Sequence, residues 1–393
     1  MQIKRTPSST SVSSARSAGS PREADGHEGN VPVDDAVRIS GGASCGVSSP
    51  TASAARCSCG PVCVCSAGPG AQGGSHARSA TAACALAGGT AGVAVSLMSA
   101  AAPQPADLTA RLKALLPEHP FVISAEKVAE LQRRLGIDRA ALLQALVPVA
   151  REYARPPISN YQVGAAGLGK SGNIYLGVNL EFGGNALNQT VHGEQFTVAN
   201  ALRNGEERLE MLAVSAAPCG HCRQWLNEVN GGSDLMILTP SSPPTPLREL
   251  LPASFGPGDL GVTGGLLTHQ MNSLQGRPPA SGDDEALDAA ALEAARASYA
   301  PYSHSPSGVA VRLSDATVLS GRYAENAAFN PSLSPLQAAM VELVAQGRRY
   351  DDIAHVVLVE KAGAPASQQA ATRALLDAVQ PQARFDVRLA DQA

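Results

Sequence analysis

Eight cysteines occur in this 393-residue chain, but only Cys219 and Cys222 stand in a stretch with the hydrophobic periodicity of a folded domain. Cys45, Cys57, Cys59, Cys63, Cys65 and Cys84 all lie in a Ser/Ala/Gly-rich N-terminal segment. Two thiols three positions apart are too close to staple domains together, so the pair points to intracellular metal or redox chemistry. It sits in Pro218-Cys-Gly-His-Cys222, and upstream stands a second polar constellation, Val191-His-Gly-Glu-Gln195.

Zinc accepts imidazole nitrogen and thiolate sulfur, and a catalytic zinc keeps three protein ligands with a fourth position open. His192, Cys219 and Cys222 supply one nitrogen and two sulfurs. Two thiolates cancel the formal charge of the ion, and a neutral third ligand leaves enough Lewis acidity to activate water near neutral pH. Pro218 suits a helix start, so both thiols should lie at a helix N-terminus that favours the thiolate. Glu194, two positions beyond His192, does not share its helical face and is free to act on a substrate as acid and base. His221, inside the CxxC, is set aside as a ligand in favour of Cys222. The alternatives are a redox CxxC or a structural zinc corner for Cys219 and Cys222, and an exposed helix carboxylate for Glu194.

The rest of the chain divides by composition. Residues 1–106 form a tail expected to be disordered, because Ser, Ala and Gly dominate without helical or strand period. Its first 22 residues carry Lys4, Arg5, Arg16 and Arg22 and no acid before Glu23. That is the composition of an organelle transit peptide, or else of a non-native extension with Met98 as an alternative start. The uncharged run from Ser79 to Ala106 is too poor in Leu, Ile and Phe for a membrane span. The Cys57 to Cys65 cluster lacks histidines and a core around it.

From Asp107 three apolar patterns at helical spacing follow, with Asp107, Ser124 and Asp138 as N-cap candidates. After Pro156 and Pro157 come Gly-punctuated strand patterns, YQVGAAGLG and NIYLGVNLEF. A helix from about His192, a strand MLAVSAA, a helix from Cys219 and a strand LMILT complete an α/β layered domain over 107–268. Residues 269–286 read as a polar, Pro/Gly-rich linker. The part from 287 to 393 echoes the first: YARPPISNYQVGAA is similar to YAPYSHSPSGVAV, and Glu325 falls where the first copy has Glu181. The place of His192 and Glu194 falls near Pro335, Leu336 and Gln337, and no cysteine follows Cys222, so this half cannot build the same zinc site.

Charged residues make up 16% of the chain, the formal net charge is −4 and aromatics amount to 4%. No basic field of the kind that phosphate backbones require is present, which argues for a small, nearly neutral substrate and against nucleic acid. An HxE followed by PCxxC is the general signature of zinc-dependent nucleobase deaminases.

Through ISNYQVGA, GVNLEF, TVHGEQ, SAAPCGHCRQWLNE, FGPGDL, YAPYSHSPSGVAV and YAENAAFNPSLSPLQAA, the chain from about 110 to 390 resembles the two-domain homodimeric cytidine deaminases of plants and some bacteria. The resemblance implies two tandem three-layer α/β/α domains with mixed sheets, the second degenerate. It implies one Zn²⁺ per chain and hydrolytic deamination of cytidine and deoxycytidine to uridine and deoxyuridine plus ammonia, by zinc-activated water and a glutamate proton shuttle. It also implies a nucleoside substrate and a homodimer, with neither nucleic acid nor membrane as partner. Asn179 and Glu181 would bond the ribose, Tyr161 would pack on the base where the family usually has Phe, and Phe329 would reach the partner's substrate. Gly193, where the family often has Ala, is expected to loosen the helix start and place Glu194 slightly less well. The expected location is cytoplasmic, with plastid or mitochondrion as the alternative through the tail.

Overall fold

The computed structural model describes residues 105–277 and 284–393; the expectations placed on the tail up to residue 104 and on the centre of the linker lie outside them. Three helices open the described chain: α1 (Pro105–Leu115), α2 (Ala125–Leu135) and α3 (Arg139–Arg151). Ser124 Oγ accepts from the Lys127 amide, and Asp138 Oδ1 accepts from the Ala141 amide at 2.8 Å. Both therefore cap as their side-chain chemistry predicts. Asp107 does not: α1 begins at Pro105, a residue favoured at the first helical position, which leaves Asp107 in the first turn.

The first sheet has the order β1-β3-β2-β4-β5-β6. Its strands are β1 (Val122–Ile123), β2 (Gly164–Gly169), β3 (Ile174–Val178), β4 (Leu209–Val214), β5 (Met236–Thr239) and β6 (Ser242–Pro246). Only β4 and β5 run parallel; the other neighbours are antiparallel. Helices α4 (Gly193–Arg203), α5 (Gly220–Asn227) and the short α6 (Leu247–Leu250) complete this half. A Cβ on Gly164 would strike Val147 and Arg151 of α3, whereas one on Gly177 would strike Gly193 and Thr197 of α4. Gly177 pairs with Ala165, the neighbour of Gly164. Since side chains alternate across a strand, α3 and α4 cover opposite faces and make three layers.

The second sheet, β7-β11-β10-β8-β9, repeats that core. It is built from β7 (Leu274–Gly276), β8 (Ser307–Leu313), β9 (Val318–Arg322), β10 (Ile353–Lys361) and β11 (Arg384–Gln392), flanked by α7 (Glu285–Arg296), α8 (Pro335–Ala345) and α9 (Gln369–Val379). Here β10 and β11 form the parallel pair. Gly308 closes on α7 and Gly321 on α8, as Gly164 and Gly177 close on α3 and α4. Strand β7 lies inside the stretch that composition marks as a linker, and it pairs antiparallel with β11.

The halves meet along α4 and α8 in one continuous apolar core that includes Phe196, Trp225, Leu333, Leu336 and Met340. Two buried amides tie this seam reciprocally. Gln195 Nε2 donates to the Pro331 carbonyl at 3.1 Å, and Gln337 Nε2 donates to the Gln189 carbonyl at 2.8 Å. Each glutamine is the third residue of its helix and grips the segment before the other helix, the self-complementary pattern of a two-fold interface.

Candidate metal centre and its pocket

His192 is the N-cap residue of α4, and its amide donates to Gln195 Oε1 at 3.2 Å. Cys219 is the N-cap residue of α5, and Cys222 lies buried in its first turn. Helix α4 follows β3 and helix α5 follows β4 along the chain, and β2 lies between these two strands in the sheet. Nδ1 of His192 lies 3.6 Å from Cys219 Sγ and 3.3 Å from Cys222 Sγ, and the sulfurs lie 3.6 Å apart. Ligands about 2.0–2.3 Å from a tetrahedral zinc stand roughly 3.5–3.8 Å from one another, so the triad fits the ion. Among the described residues it is the one group of His, Cys and acidic side chains close enough to hold a metal. The zinc that the family descriptions below carry is thus matched by this donor set.

The protein atoms alone already favour a thiolate. Hydrogen bonds from Cys222 and then His192 lower Cys219 to about 3, against the opposing effect of burial. The Cys219 sulfur and then burial push the Cys222 thiol up. The Cys219 contact raises His192. His221 stays outside the ligand group: its ring packs on that of His192 with centres 5.0 Å apart, burial lowers its pKa, and its Nε2 is buried without a hydrogen-bond partner.

Glu194 is 4% exposed, and burial raises its carboxyl above the usual range. It lines a cavity of about 290 Å³ together with the three metal-site residues, Asn179, Glu181 and Tyr161. Every site residue expected from the first half therefore meets in one place. Phe329 does not line this cavity; it is 65% exposed on the second half, with a backbone φ of 61°.

Asn179 and Glu181 lie beyond the end of β3 rather than within it. Leu180 between them bridges Arg155 and Val191 instead of continuing the ladder. Asn179 Nδ2 donates to the Tyr161 carbonyl and its Oδ1 accepts from the Val163 amide, so this side chain braces the loop that carries Tyr161. Glu181 accepts from the amides of Ile158 and Ser159 and from Ser159 Oγ. Burial pushes its carboxyl up, but these bonds outweigh burial and hold it low. Ser159 was missed by motif reading, although its signal is present: in the second half the Tyr302 and Ser303 amides and Ser303 Oγ donate to Glu325 in the same three-contact pattern. The residues after them, Asn160 and His304, share a left-handed backbone.

Gly193 is the buried first residue of α4, and a Cβ there would sit 3.0 Å from Val163 Cγ1. Gly177 is the tighter contact. A Cβ on it would lie 2.1 Å from Thr197 Oγ1 and 2.4 Å from the Gly193 carbonyl. Gly177→Ala should therefore push the start of α4 off the sheet and lower the unfolding free energy by about 1–3 kcal/mol. Denaturant melts read this; a wild-type midpoint would mean that the helix backs away without cost.

In the second half the start of α8 puts Ser334 where His192 stands and Leu336 where Glu194 stands, as the matching contacts of Gly321 with Pro335 and Ala339 show. At the matching positions a hydroxyl stands in place of the imidazole, and a buried leucine in place of the carboxylate.

Two family models, both described as the cytidine and deoxycytidylate deaminase zinc-binding region, match residues 138–237 and 247–373. A cytidine deaminase of Klebsiella pneumoniae is 46% identical over 276 residues, covering 70% of this chain and 92% of that protein. A cytidine deaminase of Sodalis glossinidius is 45% identical over 289 residues, covering 71% of this chain and 93% of that protein. Similarity of this depth runs through both halves and across the metal triad, and the chain belongs to the cytidine deaminase family.

Proposed function

We propose that the chain hydrolyses cytidine and deoxycytidine to uridine and deoxyuridine with release of ammonia, using one zinc per chain held by His192, Cys219 and Cys222. The observation that carries this reading is the meeting of that triad with a buried Glu194 in a cavity of small-molecule size. When bound, the zinc supplies the Lewis acidity that makes water a nucleophile near neutral pH. Glu194 takes the proton of the attacking water and delivers it to N3, which makes C4 electrophilic. It then carries a second proton to the departing amine. A carboxyl whose proton affinity is raised by burial suits both halves of this cycle.

Glu181 has lone pairs left for a ribose hydroxyl after its bonds to Ile158 and Ser159, and Asn179 holds the adjoining loop. Tyr161, 58% exposed at the mouth, packs on the base. The exposed Phe329 reaches the cavity of a second copy, which makes the working unit a homodimer. Residues 107–268 act as the catalytic domain and 287–393 as its zinc-free copy, joined through 269–286. The location is cytoplasmic, or plastid or mitochondrial if the tail targets it; among the described residues, no helix is long and apolar enough to cross a membrane.

Among the described residues lining the cavity there are two carboxylates and no Lys or Arg. A 5′-phosphate would find no cationic side chain among them to pair with, so deoxycytidylate should be turned over on the order of a hundredfold less efficiently than deoxycytidine. Ammonia release from cytidine, deoxycytidine, deoxycytidylate and a single-stranded oligonucleotide, with zinc measured in the same sample, tests the reading. Turnover of the oligonucleotide alone would overturn it.

A further inference from the structure

We infer that Glu228 is a positioning residue, whose buried carboxylate latches the Phe329 loop of the second half onto the helix that carries Cys219 and Cys222. Glu228 is the C-cap residue of α5 and is 0% exposed. All three donors to its side chain come from the other half of the chain. Tyr299 Oη donates to Oε1 at 2.7 Å, Tyr302 Oη donates to the same oxygen, and the Ala327 amide donates to Oε2 at 2.9 Å. A carboxylate removed from water is tolerated only when hydrogen-bonded in this way, and once satisfied it fixes the geometry of its partners. Burial, and then the Glu228 contact, raises both tyrosines, which keeps them as donors.

The loop from Glu325 to Pro331 is gripped at further points on the same surface. Asn326 Nδ2 donates to the Gln224 carbonyl at 2.9 Å, and Gln195, next to Glu194, donates to the Pro331 carbonyl. Between these grips the loop lifts Phe329, whose left-handed backbone is a strained conformation for a bulky side chain and persists only where the surroundings impose it. The ring of Tyr302 lies 6.4 Å from that of Phe329, so one donor to Glu228 also supports the displayed side chain. The zinc-free half thus acts as a mount, and Glu228 is its tie to the metal helix.

This inference rests on the reading of Phe329 as a contact to the partner's substrate. A double-mutant cycle on the full-length dimer separates the two. Glu228→Gln cannot satisfy all three donors, since its amide offers one acceptor oxygen. It should keep zinc and most of kcat but raise KM for cytidine about tenfold. Phe329→Ala should raise KM similarly, and the double variant should be no worse than either single one, because residues acting through one contact are not additive. Wild-type KM in Glu228→Gln, multiplying KM effects, or loss of zinc with unchanged KM would each overturn the latch. Wild-type KM in Phe329→Ala sinks the placement of Phe329 and the latch with it, and a wild-type protein without deaminase activity sinks the functional reading itself. If Glu228→Gln does not fold, Tyr302→Phe removes one donor and should raise KM in the same direction, again without adding to Phe329→Ala.

Discussion

Glu194→Gln should retain one zinc per chain and lose about 10²–10⁴-fold in kcat, with KM for cytidine little changed. Glutamine keeps the size and hydrogen-bonding shape of the side chain but cannot exchange a proton. At 4% exposure Glu194 is buried at the cavity wall, where a water lacks the fixed position and the raised proton affinity of the carboxyl. The carboxylate also stays out of the ligand set, since the imidazole and the two thiolates already close one face of the tetrahedron. Metal content by atomic absorption and steady-state ammonia release, measured on the same sample, check both halves of the expectation. A variant within tenfold of wild-type kcat would remove Glu194 from proton transfer, and loss of zinc would make it a ligand.

Cys219→Ala should lose both the zinc and the activity. Cys219 is the better choice than Cys222 because it is exposed, whereas Cys222 is buried and its truncation would add a packing defect. Removing a thiolate leaves two donors on a divalent ion and takes away half of the compensating negative charge. Because metal binding stabilises only the folded state, the variant should melt where the chelator-treated wild type melts, and added zinc should not raise that temperature. Stoichiometric zinc in the purified variant would show that the ligand set is wrong.

The parts of the fold that were legible share a cause. Ser124 and Asp138 cap their helices through bonds to amides three residues on, and Cys219 begins α5 after a proline, so the information sits within one turn of chain. What was not legible depends on neighbours far along the chain. Strand β6 reads SPPTP, a composition that argues against a strand, yet it is an edge strand whose missing N–H groups can face away from the sheet. Strand β7 lies in a stretch with linker composition and exists because β11 offers it an edge. Asn179 and Glu181 fit strand alternation on paper, but β3 stops at Val178, where Leu180 turns to Arg155 and Val191.

The sequence by itself determined the donor set. Imidazole, two thiolates and a carboxylate at those spacings define the chemistry wherever the chain places them, because ligand identity and helix-start geometry are local properties. Only the tertiary structure decided that His192 meets thiols 27 and 30 residues away at ligand spacing, that Glu194 is buried beside them, and that Glu228 reaches across to Tyr299, Tyr302 and Ala327. Those contacts depend on which faces the sheets bury against each other, and burial is set by the whole chain at once.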